Sequence, residues 1–154
     1  MNRMLALASA FTLLITFASC SEKKPPEVAA YQGKKVLDVV RTLAKEYQDK
    51  DLGGFMDKIA RTYPDRGAFE TSIKAVLSRY DPIRMTFHNT KMLVLVPDRG
   101  NIKAEVNWDA EWRTGAVGMI KDGGRVTLVF DPRDFLLVAV EGKNPFLPVE
   151  KPVK

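Results

Sequence analysis

His88 is the only histidine in the chain and the side chain best suited to move a proton near neutral pH. It follows Phe87 and opens an irregular polar patch at residues 89–91, where a bulge could re-aim it toward a pocket as a general base. Arg84, Thr86 and His88 share the polar parity of their segment, which favours an exposed histidine, and spacing places no nucleophile or second acid with it. Cys20 is the only cysteine, so an internal disulfide is excluded, and one histidine beside it builds no Cys/His metal site. Trp108 and Trp112 lie four residues apart and could line an apolar pocket with Tyr47, Phe55 and Phe69, although the same residues equally suit a packed core. Asp131 and Asp134 flank a two-residue turn and read as turn formers. Asp122, Gly123 and Gly124 read as another turn, with no phosphate-binding or dinucleotide context, so no cofactor is expected.

The elements that must position these residues follow from periodicity. Val36, Leu37, Val40, Leu43, Ala44 and Tyr47 keep helical spacing, and Gly53 and Gly54 limit that helix. A shorter helix is predicted over 52–63, ended by Pro64, and a third over 67–80, where Phe69, Ile73, Val76, Leu77 and Tyr80 recur at three- and four-residue steps before Pro82. Beyond Pro82 the period becomes two. Ile83, Met85 and Phe87 alternate with polar residues, and the phase slips across 89–91. The clearest strand carries Ile102, Ala104, Val106, Trp108, Ala110 and Trp112 on one face and Lys103, Glu105, Asn107, Asp109, Glu111 and Arg113 on the other. Two more strands, RVTLVF and FLLVAV, flank the turn at 131–134. Helices first and hairpin-linked strands afterwards predict an α+β domain, with N-terminal helices packed on a bent antiparallel sheet.

At 154 residues, 45% apolar and 28% charged, the chain fits one globular domain and excludes disordered and disulfide-scaffold classes. The formal charge of +5 is dispersed among acidic residues without a basic run, so no nucleic-acid partner is expected.

Residues 1–19 carry Arg3, an apolar stretch from Met4 to Ala18 and a small-residue end, the layout of an export signal too short to span a bilayer. Phe17, Ala18, Ser19 and Cys20 resemble the lipobox of bacterial lipoproteins, with Phe17 standing where an aliphatic residue is usual. The resemblance implies that Cys20 becomes a lipidated N-terminus, held to the membrane by acyl chains; the alternatives are an uncleaved membrane anchor and an ordinary signal peptide cut elsewhere. Residues 20–32 then read as the lipidated cysteine and a polar, proline-bearing tether, 33–148 as the domain and 149–154 as a tail. Ser21 after the cysteine resembles the pattern sorted to the outer membrane, with the domain facing the periplasm.

From about Val36 to Leu147 the order of elements, the strand ending at Trp108 and Trp112, and the terminal pattern GRVTLVFDPRDFLLVAVEGKNPF resemble the nuclear transport factor 2-like family. That resemblance implies a cystatin-like cone in which the sheet wraps around the helices. Enzymes of the family, such as isomerases, dehydratases and cyclases, work in the apolar mouth of the cone with a buried Asp, His or Tyr. The inward face of the 102–112 strand offers no ionisable residue. The sequence therefore favours a non-catalytic binding or interaction module of the cell envelope, its partner an unidentified envelope protein or a small apolar ligand. A small-molecule carrier or enzyme using the cone is the alternative. Replacing the lipobox thiol tests the anchoring expectation: Cys20→Ala should accumulate as precursor or mislocalise, as read by cell fractionation and intact mass. Efficient cleavage with unchanged, detergent-dependent membrane association would defeat it.

Overall fold

The computed structural model describes residues 26–97, 100–115 and 118–149. The expected signal at 1–19, with Phe17, Ala18, Ser19 and Cys20, lies outside the described residues.

Helix α1 (Pro26–Gln48) opens on a proline, whose missing N–H costs nothing in a first turn, and carries Glu27 at its positive end and Lys45 at its negative end. Val36, Val40, Leu43, Ala44 and Tyr47 form its buried stripe. The tether expected through Gln32 is corrected here, because residues 26–32 are the first turns of α1. Tyr31 on those turns meets Phe135 edge-on at 6.5 Å, a contact across the chain that the absence of an apolar period did not reveal.

Helix α2 (Leu52–Met56) is capped by Asp51, whose side chain accepts from the Gly54 N–H at 2.9 Å. The helix expected to run to Tyr63 stops at Met56. Backbone pairing with the last strand intervenes: Leu137 donates to the Lys58 carbonyl at 2.8 Å, and Ala60 donates to the Leu137 carbonyl at 2.9 Å. Helix α3 (Arg66–Arg79) buries Phe69, Ile73 and Leu77 at four-residue steps.

Strands β1 (Ile83–Leu95), β2 (Ile102–Thr114), β3 (Gly118–Phe130) and β4 (Leu137–Gly142) form one antiparallel sheet in the order β1-β2-β3-β4. The expected phase slip is present as a register shift between His88 and Leu93. All six apolar residues of β2 are 2% exposed or less, so strand parity alone identifies the face that the helices cover. At 131–134 the turn forms as expected: Asp131 accepts from the Arg133 N–H and Asp134 from the Leu136 N–H.

The turn expected at residues 122–124 is corrected. These residues run through the middle of β3, with Ala110 opposite Asp122, Asp109 opposite Gly123 and Trp108 opposite Gly124. Glycine serves close approach here rather than reversal. A Cβ at 123 would lie 2.9 Å from the Trp108 carbonyl oxygen and 2.5 Å from the Asp109 carboxylate. Gly123→Val should therefore lower stability by about 1–3 kcal/mol in urea unfolding. Gly67→Ala, in α3 with nothing within 4 Å of the added atom, should be neutral or slightly stabilising. Equal midpoints for the two variants would contradict the close-approach account.

Candidate functional site

Three elements converge on one hydroxyl. Tyr47 arrives on the buried stripe of α1, Trp112 on the inner parity of β2, and Phe146 on the segment that follows β4; each is fully buried. Trp112 Nε1 donates to Tyr47 Oη at 2.9 Å, and Tyr47 Oη donates to the Phe146 carbonyl oxygen at 2.7 Å. Around this relay the Phe146 ring lies 4.9 Å from Phe55, 5.4 Å from Tyr47 and 6.1 Å from Phe87, all edge-on. Burial pushes the Tyr47 phenol well above its ordinary pKa, and the Trp112 hydrogen bond opposes that shift only partly, so the group is a neutral donor aimed at a carbonyl in a dry setting.

All five aromatics singled out in the sequence fall into this one core. Phe69 joins through Phe55 at 6.2 Å, and Trp108 meets Trp112 edge-on at 6.5 Å. Trp108 marks the other end of the site. Its Nε1 is buried and has no hydrogen-bond partner among the described residues, and Lys143 Nζ lies 5.9 Å from its ring centroid. Lys143 is paired with Asp122, whose side chain is 17% exposed.

Asp122 is the site residue that sequence reasoning missed. Because it sits opposite Ala110, it shares the helix-covered side of the sheet, where no carboxylate was expected. Its signal was present as the two-residue series Asp122, Gly124, Val126, Leu128 and Phe130, masked by the turn-like Asp-Gly-Gly run.

His88 lies on the opposite face. Its Nε2 and Asp109 Oδ2 are 2.5 Å apart, with side chains 41% and 71% exposed. The register shift begins after His88 and leaves it on the outer parity, so the pair stands outside the aromatic site. The same face carries Glu111, whose carboxyl titrates below its ordinary range because Lys121 bonds it at 2.7 Å. A cleft of about 360 Å³ between α1 and β1 meets the aromatic box only at Phe87, and one of about 240 Å³ beside Arg84 and Asp109 lies outside it. Among the described residues no cluster of three His, Cys, Asp or Glu could hold a metal, and no helix is long and apolar enough to cross a membrane.

No family model matches the chain, and no curated protein matches it. Solved structures do resemble it. BvnE pinacolase from Penicillium brevicompactum is 12% identical with a TM-score of 0.58, over 71% of this chain and 82% of that one. A candidate scytalone dehydratase from Novosphingobium aromaticivorans is 7% identical with a TM-score of 0.60, over 81% and 97%. A cystatin-fold protein of uncharacterised function from the same organism is 8% identical with a TM-score of 0.51, over 68% and 94%. The fold is thus the α+β cone of cystatin-like, nuclear transport factor 2-like proteins, as the order of elements implied.

The relay makes a pH-resolved prediction. Tyr47→Phe leaves the buried Trp112 N–H without its acceptor and should cost about 1–3 kcal/mol. Burial raises the folded phenol above its unfolded value of about 10, so the tyrosine's contribution is complete below that pH and is lost as pH rises through the folded pKa. In urea titrations the gap between wild type and Tyr47→Phe should stay constant to about pH 10 and narrow above it. A gap that widened with alkalinity would contradict the buried neutral donor.

Proposed function

We propose that this chain is an exported, lipid-anchored protein whose cone receives a small, largely apolar ligand bearing a hydrogen-bond acceptor. This is the carrier or enzyme reading of the sequence rather than the purely interacting one. The observation that carries it is the Trp112–Tyr47 relay, a preorganised neutral donor held on the Phe146 carbonyl and ringed by aromatic side chains. Such a donor binds a carbonyl and stabilises negative charge that develops on its oxygen. Asp122 is the carboxylate of the same face, but it is held by Lys143 at the Trp108 end, so its assigned role is electrostatic and the chemistry proposed is binding with carbonyl polarisation. Two of the resembling structures, a pinacolase and a candidate scytalone dehydratase, carry names of small-molecule enzymes, which supports ligand handling in this fold over a non-catalytic role.

For the anchor, the proposal is acylation of Cys20 and retention at the periplasmic side of the outer membrane. Residues 21–25 separate the cysteine from Pro26 of α1, a span of at most about 20 Å at about 3.5 Å per residue, so the first turn of α1 would stay near the bilayer. The second reading, an interaction module of the envelope, is favoured by one observation: Phe146 of the chain itself is fully buried among these aromatics.

Thermal shift with matched probes separates the two. Millimolar cyclohexanone should raise the Tm of wild type more than methylcyclohexane does, and Tyr47→Phe should erase the difference. Equal, negligible shifts for both probes in wild type would return the assignment to the interaction module.

A further inference from the structure

The residue that completes the aromatic box belongs neither to the sheet nor to the helices. Strand β4 ends at Gly142, which has a φ of +98°, and residues 143–147 then cross the inner side of the cone as a strap. Gly142 provides a natural hinge, since that backbone conformation costs glycine little. The strap carries its own local hydrogen bond, from the Phe146 N–H to Asn144 Oδ1 at 3.0 Å, so that N–H would not lose its partner if the strap moved as a unit. Beyond the packing of the Phe146 ring and of Leu147 on the core, it is held by the Tyr47 hydroxyl on the Phe146 carbonyl and by the Lys143–Asp122 pair, in which Lys143 is 42% exposed.

We propose that this strap is a displaceable self-occupant of the cone, in which Phe146 holds the place of a ligand presenting an aromatic ring and a carbonyl oxygen, and the Lys143–Asp122 pair is its latch. The inference rests on the ligand-binding reading above and adds the ligand class and the control of access. The class follows from what Phe146 supplies. Its ring meets Phe55, Phe87 and Tyr47 edge-on, and its carbonyl satisfies the Tyr47 hydroxyl. A hydrocarbon taking its place would strand that buried hydroxyl without an acceptor, whereas a compound that, like Phe146, sets its carbonyl two carbons away from a phenyl ring would replace both contacts. Because Lys143 sits over Trp108 while bound to Asp122, leaving the latch also changes the surroundings of the indole. Closure by the strap lowers apparent affinity by the fraction of molecules that are open, so weakening the latch must tighten binding.

The test uses the mature chain and 4-phenylbutan-2-one, with butylbenzene as its hydrocarbon match. In wild type, the ketone should bind saturably, move the NMR signals of the Phe146 ring and change tryptophan fluorescence. Lys143→Ala, checked for native circular dichroism, should tighten the ketone by about two- to fivefold, the range of a solvent-screened ion pair. Tyr47→Phe should abolish the preference over butylbenzene. Ketone bound with the Phe146 ring signals unmoved, or affinity unchanged in Lys143→Ala, would overturn the strap proposal and leave the ligand-binding reading standing. Binding by Phe146→Ala but not by wild type would also overturn it, as capture by an engineered cavity. Binding of neither 4-phenylbutan-2-one nor cyclohexanone by wild type or Phe146→Ala would overturn both.

Discussion

Tyr47 must bury a hydroxyl in the middle of an aromatic core, and most of what is specific to this molecule follows from how that polar group is satisfied. It needs a donor and an acceptor in a region with no water-facing neighbour, and it draws them from parts of the chain that are 65 and 99 residues away. The indole of Trp112 fixes the direction of the hydroxyl, and the hydroxyl in turn fixes the segment carrying Phe146. One hydrogen-bonded chain thereby ties helix α1, strand β2 and the C-terminal segment into a single geometry. Apolar packing alone would hold them together without dictating their register.

The sheet answers the same constraint from the other side. Its inner face must be continuous enough to seat two tryptophans and still let β3 approach β2 at Trp108 and Asp109, which explains Gly123 in the interior of a long strand, while Gly124 beside it has a φ of +156° that other residues rarely adopt. The price of that approach is a strand weak in side-chain packing at its centre, and the residue next to it, Asp122, is drawn onto the apolar face. Its charge is met by Lys143 from beyond β4. The rim of the cone therefore combines an ion pair, an indole face and an unpartnered indole N–H, while the deeper end combines a phenol and aromatic edges.

Two sets of polar groups stand on opposite sides of one sheet, and they differ in what they can do. On the outer face His88, Asp109, Glu111 and Lys121 are solvated, so their interactions are screened and contribute little to stability. On the inner side the Tyr47 hydroxyl is fully buried, where a directed donor acts far more strongly than in water, while Asp122 is 17% exposed and paired with Lys143. That contrast, rather than the presence of a histidine, is the ground on which the ligand site is proposed.

Much of the scaffold was legible in the sequence because periodicity reports burial locally: the stripe of α1, the face of α3 and the alternation of β2 each follow from side-chain direction within one element. The five aromatics were placed in the interior for the same reason. Local pattern misled where a distant partner decided the outcome. Residues 57–60 leave the helix to pair with Leu137, residues 26–32 are helical with Tyr31 against Phe135, and Asp122 is a strand residue although Asp-Gly-Gly is turn chemistry. Parity determined that His88 and Asp109 would share the solvent face, but only the cross-strand register makes them a pair. In the same way the sequence determined which side chains are apolar enough to fill the cone. Only the tertiary structure decided that Phe146 would be the one to fill it and that a tyrosine hydroxyl would meet its carbonyl, because a hydrogen bond spanning 99 residues leaves no local periodicity to read.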